Sequence, residues 1–233
     1  MAQTPIAGEF TPYGPSHWVV LGLFVAGAVV LVGFGRAYRG SAAARRFERG
    51  FAVAVLGAHI AVQAYLMAPP RWNITHSLPL QLSDLAGPIA AFALWTHRPW
   101  ACALTYYWGL TLSVQALITP VLRGPDFPDW RFLLFWGTHL FTVWAAVFLT
   151  WGAGVRPDWR GYRIAVVVTV GWAAAVFLLN LALGSNYGYL NRAPETGSVL
   201  DLLGDWPWYL LPETALILGV WALMTLPWTA RRT

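Results

Sequence analysis

Seven stretches of this 233-residue chain are apolar over enough length to cross a lipid bilayer. A hydrocarbon core takes about 20 mostly apolar residues per helix. Lipid offers no partner to an open backbone N–H or C=O, so such segments are confined to helices that close their hydrogen bonds internally. The stretches run over 17–35, 50–68, 80–95, 100–119, 132–152, 162–184 and 206–226. The expected fold is all-α, a polytopic membrane protein forming one seven-transmembrane-helix bundle across residues 1–233, with no second, soluble domain. The third stretch is the shortest and carries Pro88, which predicts a kink or a deep-lying first turn.

Composition excludes several classes of protein. With 58% hydrophobic and 11% charged residues the chain falls outside the soluble range, and fifteen Trp suit membrane–water interfaces. Residues 1–16 are polar and Pro-rich without the basic start of a signal peptide, so 17–35 reads as a retained first span of a multi-pass cell-membrane protein. There is no lysine, which excludes a retinal Schiff base. The single cysteine, Cys102, excludes an internal disulfide and a cysteine-based metal cluster. His59 and His139 are the only mid-span histidines and no His-x3-His pair occurs, so neither a metal nor another cofactor is expected.

The net charge of +5 rests on fifteen arginines, and their distribution sets an orientation. Arg36, Arg39, Arg45, Arg46, Arg49, Arg98, Arg156, Arg160, Arg163, Arg231 and Arg232 fall on one side of the expected bundle. The other side carries Arg71, Arg123, Arg131 and Arg192, together with Asp126, Asp129, Glu195, Asp201 and Asp205. The positive-inside rule then places the amino terminus outside and the carboxy terminus in the cytoplasm. Topology accounts for the charge, so membrane lipids rather than nucleic acid are the expected partners.

Polar residues inside apolar spans are costly unless paired, and each therefore raises a functional question. Gln81, Ser83 and Asp84 stand together where the third span enters the membrane. Ser83 and Asp84 also suit a helix cap. His59 and Gln63 lie four apart on one face of the second span. Gln115 and Asn180 read either as pocket residues or as interhelical hydrogen bonders. His139 is the best-placed general base. Glu213 sits one turn past Pro207 in the seventh span. In this topology Gln81, Ser83, Asp84, Thr119, His139 and Glu213 share the outer half of the membrane, a pattern suited to a lined cavity. The aromatic loop holding Asn186, Tyr187, Trp206 and Tyr209 suits an interfacial belt or a lid over that cavity.

Leu78-Pro-Leu-Gln-Leu-Ser83, Gln115-Ala-Leu-Ile-Thr-Pro120, Trp136-Gly-Thr-His139, Asn186-Tyr-Gly-Tyr-Leu190 and Trp206-Pro-Trp-Tyr209 occur in that order. Together they resemble the YwaF-type bacterial integral membrane proteins, a group similar to the animal transmembrane protein 164 family. The resemblance runs from about Arg71 to Leu226. The animal relatives are associated with acyl transfer to ether phospholipids through a cysteine in the third span. Where that pattern has Leu-Pro-Leu-His-Leu-Cys, this chain has Gln81 for the histidine and Ser83 for the cysteine.

Two functional expectations follow. In the first the protein is a lipid acyltransferase or hydrolase acting on a phospholipid or acyl substrate. Its catalytic residues are Ser83 as nucleophile, His139 as base and Asp84 as orienting group; Gln81, Gln115, Asn186, Tyr187, Trp206, Tyr209 and Glu213 bind substrate. An alcohol is far less acidic than a thiol, so Ser83 needs a strong base. In the second the same pocket binds or transports a lipid or small molecule without turnover.

Overall fold

The computed structural model describes residues 8–120, 122, 124–192 and 204–229. Of the charges weighed above, Arg123, Glu195, Asp201, Arg231 and Arg232 lie outside the described residues. Among the described residues there are seven helices of ten residues or more and no β-strand. They are α1 (Pro15–Ala37), α2 (Ala42–Met67), α3 (Leu82–Thr96), α4 (Pro99–Ile118), α5 (Trp130–Gly152), α6 (Trp159–Leu183) and α7 (Leu210–Thr229). All except α3 are long and apolar enough to cross a membrane. At 15 residues α3 rises about 22 Å, short of a hydrocarbon core about 30 Å thick. The protein is thus a polytopic helical membrane protein with six candidate spans and one shorter apolar helix.

Local chemistry sets the helix ends. Pro15 and Pro99 occupy first-turn positions, where a missing N–H costs nothing. The Asp129 carboxylate accepts from the Arg131 N–H and the Asp158 carboxylate from the Gly161 N–H, capping α5 and α6. α6 stops at Gly184, whose φ of 64° is left-handed. α5 ends in a π turn, Phe148–Gly152. Its last carbonyls accept from arginine: Arg36 Nε donates to Trp151 O, and Arg39 Nε and Nη2 to Gly152 O at 3.1 and 2.7 Å. A second π turn, Gly109–Ser113, interrupts α4.

Two boundaries depart from the sequence expectation. α2 begins at Ala42 rather than 50, so Arg45, Arg46 and Arg49 ride on helix and only residues 38–41 link α1 to α2. The reason is that Ala, Arg and Glu are strong helix formers whether or not they sit in lipid. α7 begins at Leu210 rather than 206, because Trp206 to Tyr209 form a turn. Glu213 consequently lies in the first turn of α7, not deep in a span, where its charge complements the helix dipole.

The chain groups into two compact units. The first comprises the residues up to Val62 with Ala86–Val155; the second comprises Gln63–Leu85 with the residues from Arg156 onward. In the first, Phe51, Val55, Leu94, Cys102, Phe148 and Leu149 form one buried cluster, and Phe10, Val20, Leu117, Phe132, Trp136 and Val143 form another. α1 meets the end of α5 through bare backbone: a Cβ on Gly35 would lie 2.6 Å from Gly152 Cα. Small residues of this kind allow closely packed membrane helices. In the second unit, Tyr162 of α6 donates to Leu218 O of α7, and Trp172 Nε1 donates to Leu80 O in the connector before α3. Val167, Leu178, Leu181, Leu211 and Leu223 remain exposed on α6 and α7, surface that only lipid or a partner can cover without penalty.

Candidate functional site

The polar cluster at the start of α3 belongs to the second unit and is tied down on two sides. Gln81 precedes the helix, and its backbone N–H donates to the Asp84 carboxylate at 3.0 Å. That is the acidic half of a capping box. Asp84 therefore serves as a cap, the structural role that its position in the sequence left open. The Gln81 side-chain oxygen accepts from the Gly188 N–H at 2.8 Å. Gly188 has a φ of 69°, and a Cβ there would meet Trp172 at 2.6 Å, so both conformation and space call for glycine. Between Gln81 and Asp84, Ser83 is exposed, and its hydroxyl has no hydrogen-bond partner among the described residues.

Gly188 sits in a loop organised by one buried residue. Asn180 Nδ2 donates to Tyr187 O and to Asn191 Oδ1, while its Oδ1 accepts from Ser185 Oγ and the Tyr187 N–H. All its polar capacity is spent on the 185–191 loop, so Asn180 is a loop anchor rather than an interhelical bonder. Tyr187 is buried, and its hydroxyl donates to Ile74 O at 2.7 Å and accepts from the Leu78 N–H at 3.0 Å. Burial pushes the Tyr187 phenol above its ordinary range.

The other proposed binding residues of this unit are engaged in the same way. Asn186 Nδ2 donates to Arg192 O. Trp206 Nε1 donates to Leu190 O, and the Tyr209 hydroxyl donates to Tyr189 O. The Glu213 N–H donates to Tyr209 O, and its half-buried carboxylate has no hydrogen-bond partner among the described residues. Gln63, read with His59 as a pair, gives its amide N–H to Ser77 O at 2.7 Å.

His17, His59, His97 and His139 belong to the first unit. His139 Nδ1 lies 2.6 Å from Phe135 O, four residues back. A carbonyl only accepts, so Nδ1 carries the proton and Nε2 keeps its lone pair. His59 repeats the arrangement, with Nδ1 2.9 Å from Val55 O. Its ring packs on Gly87, where any Cβ would overlap it. The two imidazoles are near enough to interact electrostatically. Gln115 is exposed on α4 and its carbonyl accepts from the Thr119 hydroxyl. Among the described residues no three His, Cys, Asp or Glu side chains group as metal ligands.

The sequence reading missed His17, which is fully buried in the first unit. Its Nδ1 accepts from the Tyr13 N–H, and its Nε2 lies 2.8 Å from Leu117 O. Its ring stacks on Trp136 at 5.2 Å. Aromatic residues flanking a histidine at the head of an apolar run were the available signal.

Apolar helices of spanning length and a capped polar cluster at the entrance of a short helix define a multi-pass membrane protein. Within that class, residues 12–225 match the TMEM164 family, and the chain belongs to that family. No curated protein and no solved structure matches the chain.

Proposed function

We propose that the protein is a lipid-active acyltransferase or hydrolase of the cell membrane, with its amino terminus outside and Ser83 as its nucleophile. The observation that carries this reading is the state of the α3 entrance. Gln81 and Asp84 are each held by a backbone N–H, whereas Ser83, between them, is exposed and its hydroxyl is bonded to none of the described residues. Ser83 also stands in the first turn of α3, where unpaired N–H groups and the helix dipole favour the negative charge that develops on an attacked ester.

In this reading Ser83 Oγ attacks an acyl ester carbonyl and its proton passes to a base. Within the first unit His139 keeps an acceptor nitrogen: its Nδ1–H is bound to Phe135 O and Nε2 is left as the acceptor. The proton then goes to the departing alcohol, and the acyl-serine is released to a lysolipid hydroxyl or to water. The positions held by Gln81 and Ser83 in the family pattern make the alcohol and the amide this chain's own version of the chemistry.

The test uses purified protein in lipid nanodiscs. A serine-reactive fluorophosphonate should label the wild type, and Ser83→Ala should abolish labelling. Equal labelling of the two would overturn the proposal. A second reading, binding without turnover, draws support from the closed hydrogen bonding of Tyr187, Asn186 and Tyr209. Copurifying lipid lost in Ser83→Ala, together with no probe labelling, would favour it.

A further inference from the structure

Three arginines of the first unit line a pocket. Its volume is about 440 Å³, within the roughly 300–1,000 Å³ typical of ligand sites. Arg39, Arg45 and Arg49 line it, with Glu48, His97 and Trp95. Topology would be served equally well by arginines dispersed in solvent. A shared concavity instead gathers three guanidinium charges against one carboxylate.

That carboxylate is already committed. Glu48 lies 3.3 Å from His97 Nε2, and among the described residues no ion pair joins the three arginines to an acid. The guanidinium groups are oriented instead by neutral partners. Arg39 is fixed by two hydrogen bonds to Gly152 O, and Arg45 Nη1 donates to Gly40 O at 3.0 Å. Arg49 lies over the Trp95 ring with its central carbon 5.4 Å from the centroid. A guanidinium stacked on an aromatic face keeps the N–H groups of its edge free, the geometry that suits a phosphate fork. The pocket is therefore positive, preorganised and short of an anion.

We propose that this pocket binds a net-anionic phosphate group, as carried by an acidic phospholipid head or by a free phosphate. This site is separate from the α3 entrance and does not depend on the reading of Ser83. Basic recesses beside membrane helices recognise acidic headgroups, each arginine contributing on the order of a fewfold to tenfold in affinity.

The test titrates delipidated full-length protein with phosphatidylglycerol, phosphatidylcholine or inorganic phosphate and counts adducts by native mass spectrometry. Phosphatidylglycerol should bind in preference to phosphatidylcholine, and Arg45→Gln/Arg49→Gln should weaken it about tenfold or more. Arg160→Gln/Arg163→Gln, which removes the same charge from α6, should leave it unchanged. Glu48→Gln should tighten binding, a gain that no folding defect would imitate. If inorganic phosphate gives the same Arg45- and Arg49-dependent adduct and phosphatidylglycerol has no advantage, the ligand is the free anion. The proposal is overturned if neither phosphate source binds, or if the α6 variant loses as much affinity as the pocket variant.

Discussion

At the scale of single residues, hydrogen bonding separates three of the histidines. His17 is used at both ring nitrogens, while His59 and His139 each spend Nδ1 on a carbonyl of their own helix. Removing His17 strands the Tyr13 N–H and Leu117 O, so His17→Ala should cost about 2 kcal/mol or more in thermal unfolding. His139→Ala strands no polar partner, because Phe135 O retains its helical N–H, and should cost less, only the packing of its ring on Phe135. Equal losses in the two variants would show that the contrast is wrong. Gly87→Ala should destabilise by about 1–3 kcal/mol, since the new methyl meets the His59 ring. Adding His59→Ala should return most of that loss, a rescue that only direct contact produces. His139 was legible in the sequence as a lone imidazole in an apolar span; its tautomer was not, because a tautomer depends on which atom faces which.

At the scale of elements, ends and loops carry the chemistry. Asn180 closes α6 onto the loop after it with four side-chain hydrogen bonds. Asn180→Ala should therefore cost about 2–4 kcal/mol and speed proteolysis within residues 184–192. Asn180→Asp retains the two acceptor contacts and should fall between; an Asp variant as labile as Ala would refute the division. α5 offers a pH signature. Arg131 bonds to the Asp129 cap and holds that carboxylate below its ordinary range. A depressed folded pKa means that the stabilisation is complete above the unfolded value. It fades as pH falls below about 4 and disappears once the folded value is passed. Asp129→Asn should flatten this acid limb of the stability curve, read by circular dichroism between pH 2 and 6. The aromatic loop was visible in the sequence as an interfacial belt or lid. That its tyrosine hydroxyls hold backbone carbonyls was not, because their partners lie as far as 113 residues away.

At the scale of the whole molecule, the arginine distribution predicts that the amino terminus lies outside. In a Cys102→Ser background, Tyr38→Cys should resist a membrane-impermeant maleimide in intact cells and Trp208→Cys should react. The reverse pattern would invert the topology. Hydropathy located all seven helices, because lipid imposes one requirement on every span and leaves it written in each segment separately. It misjudged the extent of α2 and the start of α7, where helix propensity and turn formation, rather than lipid, set the ends.

The sequence by itself determined the class of protein, the number of helices, the polar entrance of α3 and the distribution of arginine. All of these are properties of contiguous residues. The tertiary structure decided what those residues do: that Asp84 caps, that Gln81 reaches Gly188, that Ser83 stays exposed, and that Arg39, Arg45 and Arg49 share one pocket. Each of those outcomes depends on atoms brought together by packing. An extended chain holds the same groups but not the distances between them, and hydrogen bonds and charge pairs are settled over a few ångströms.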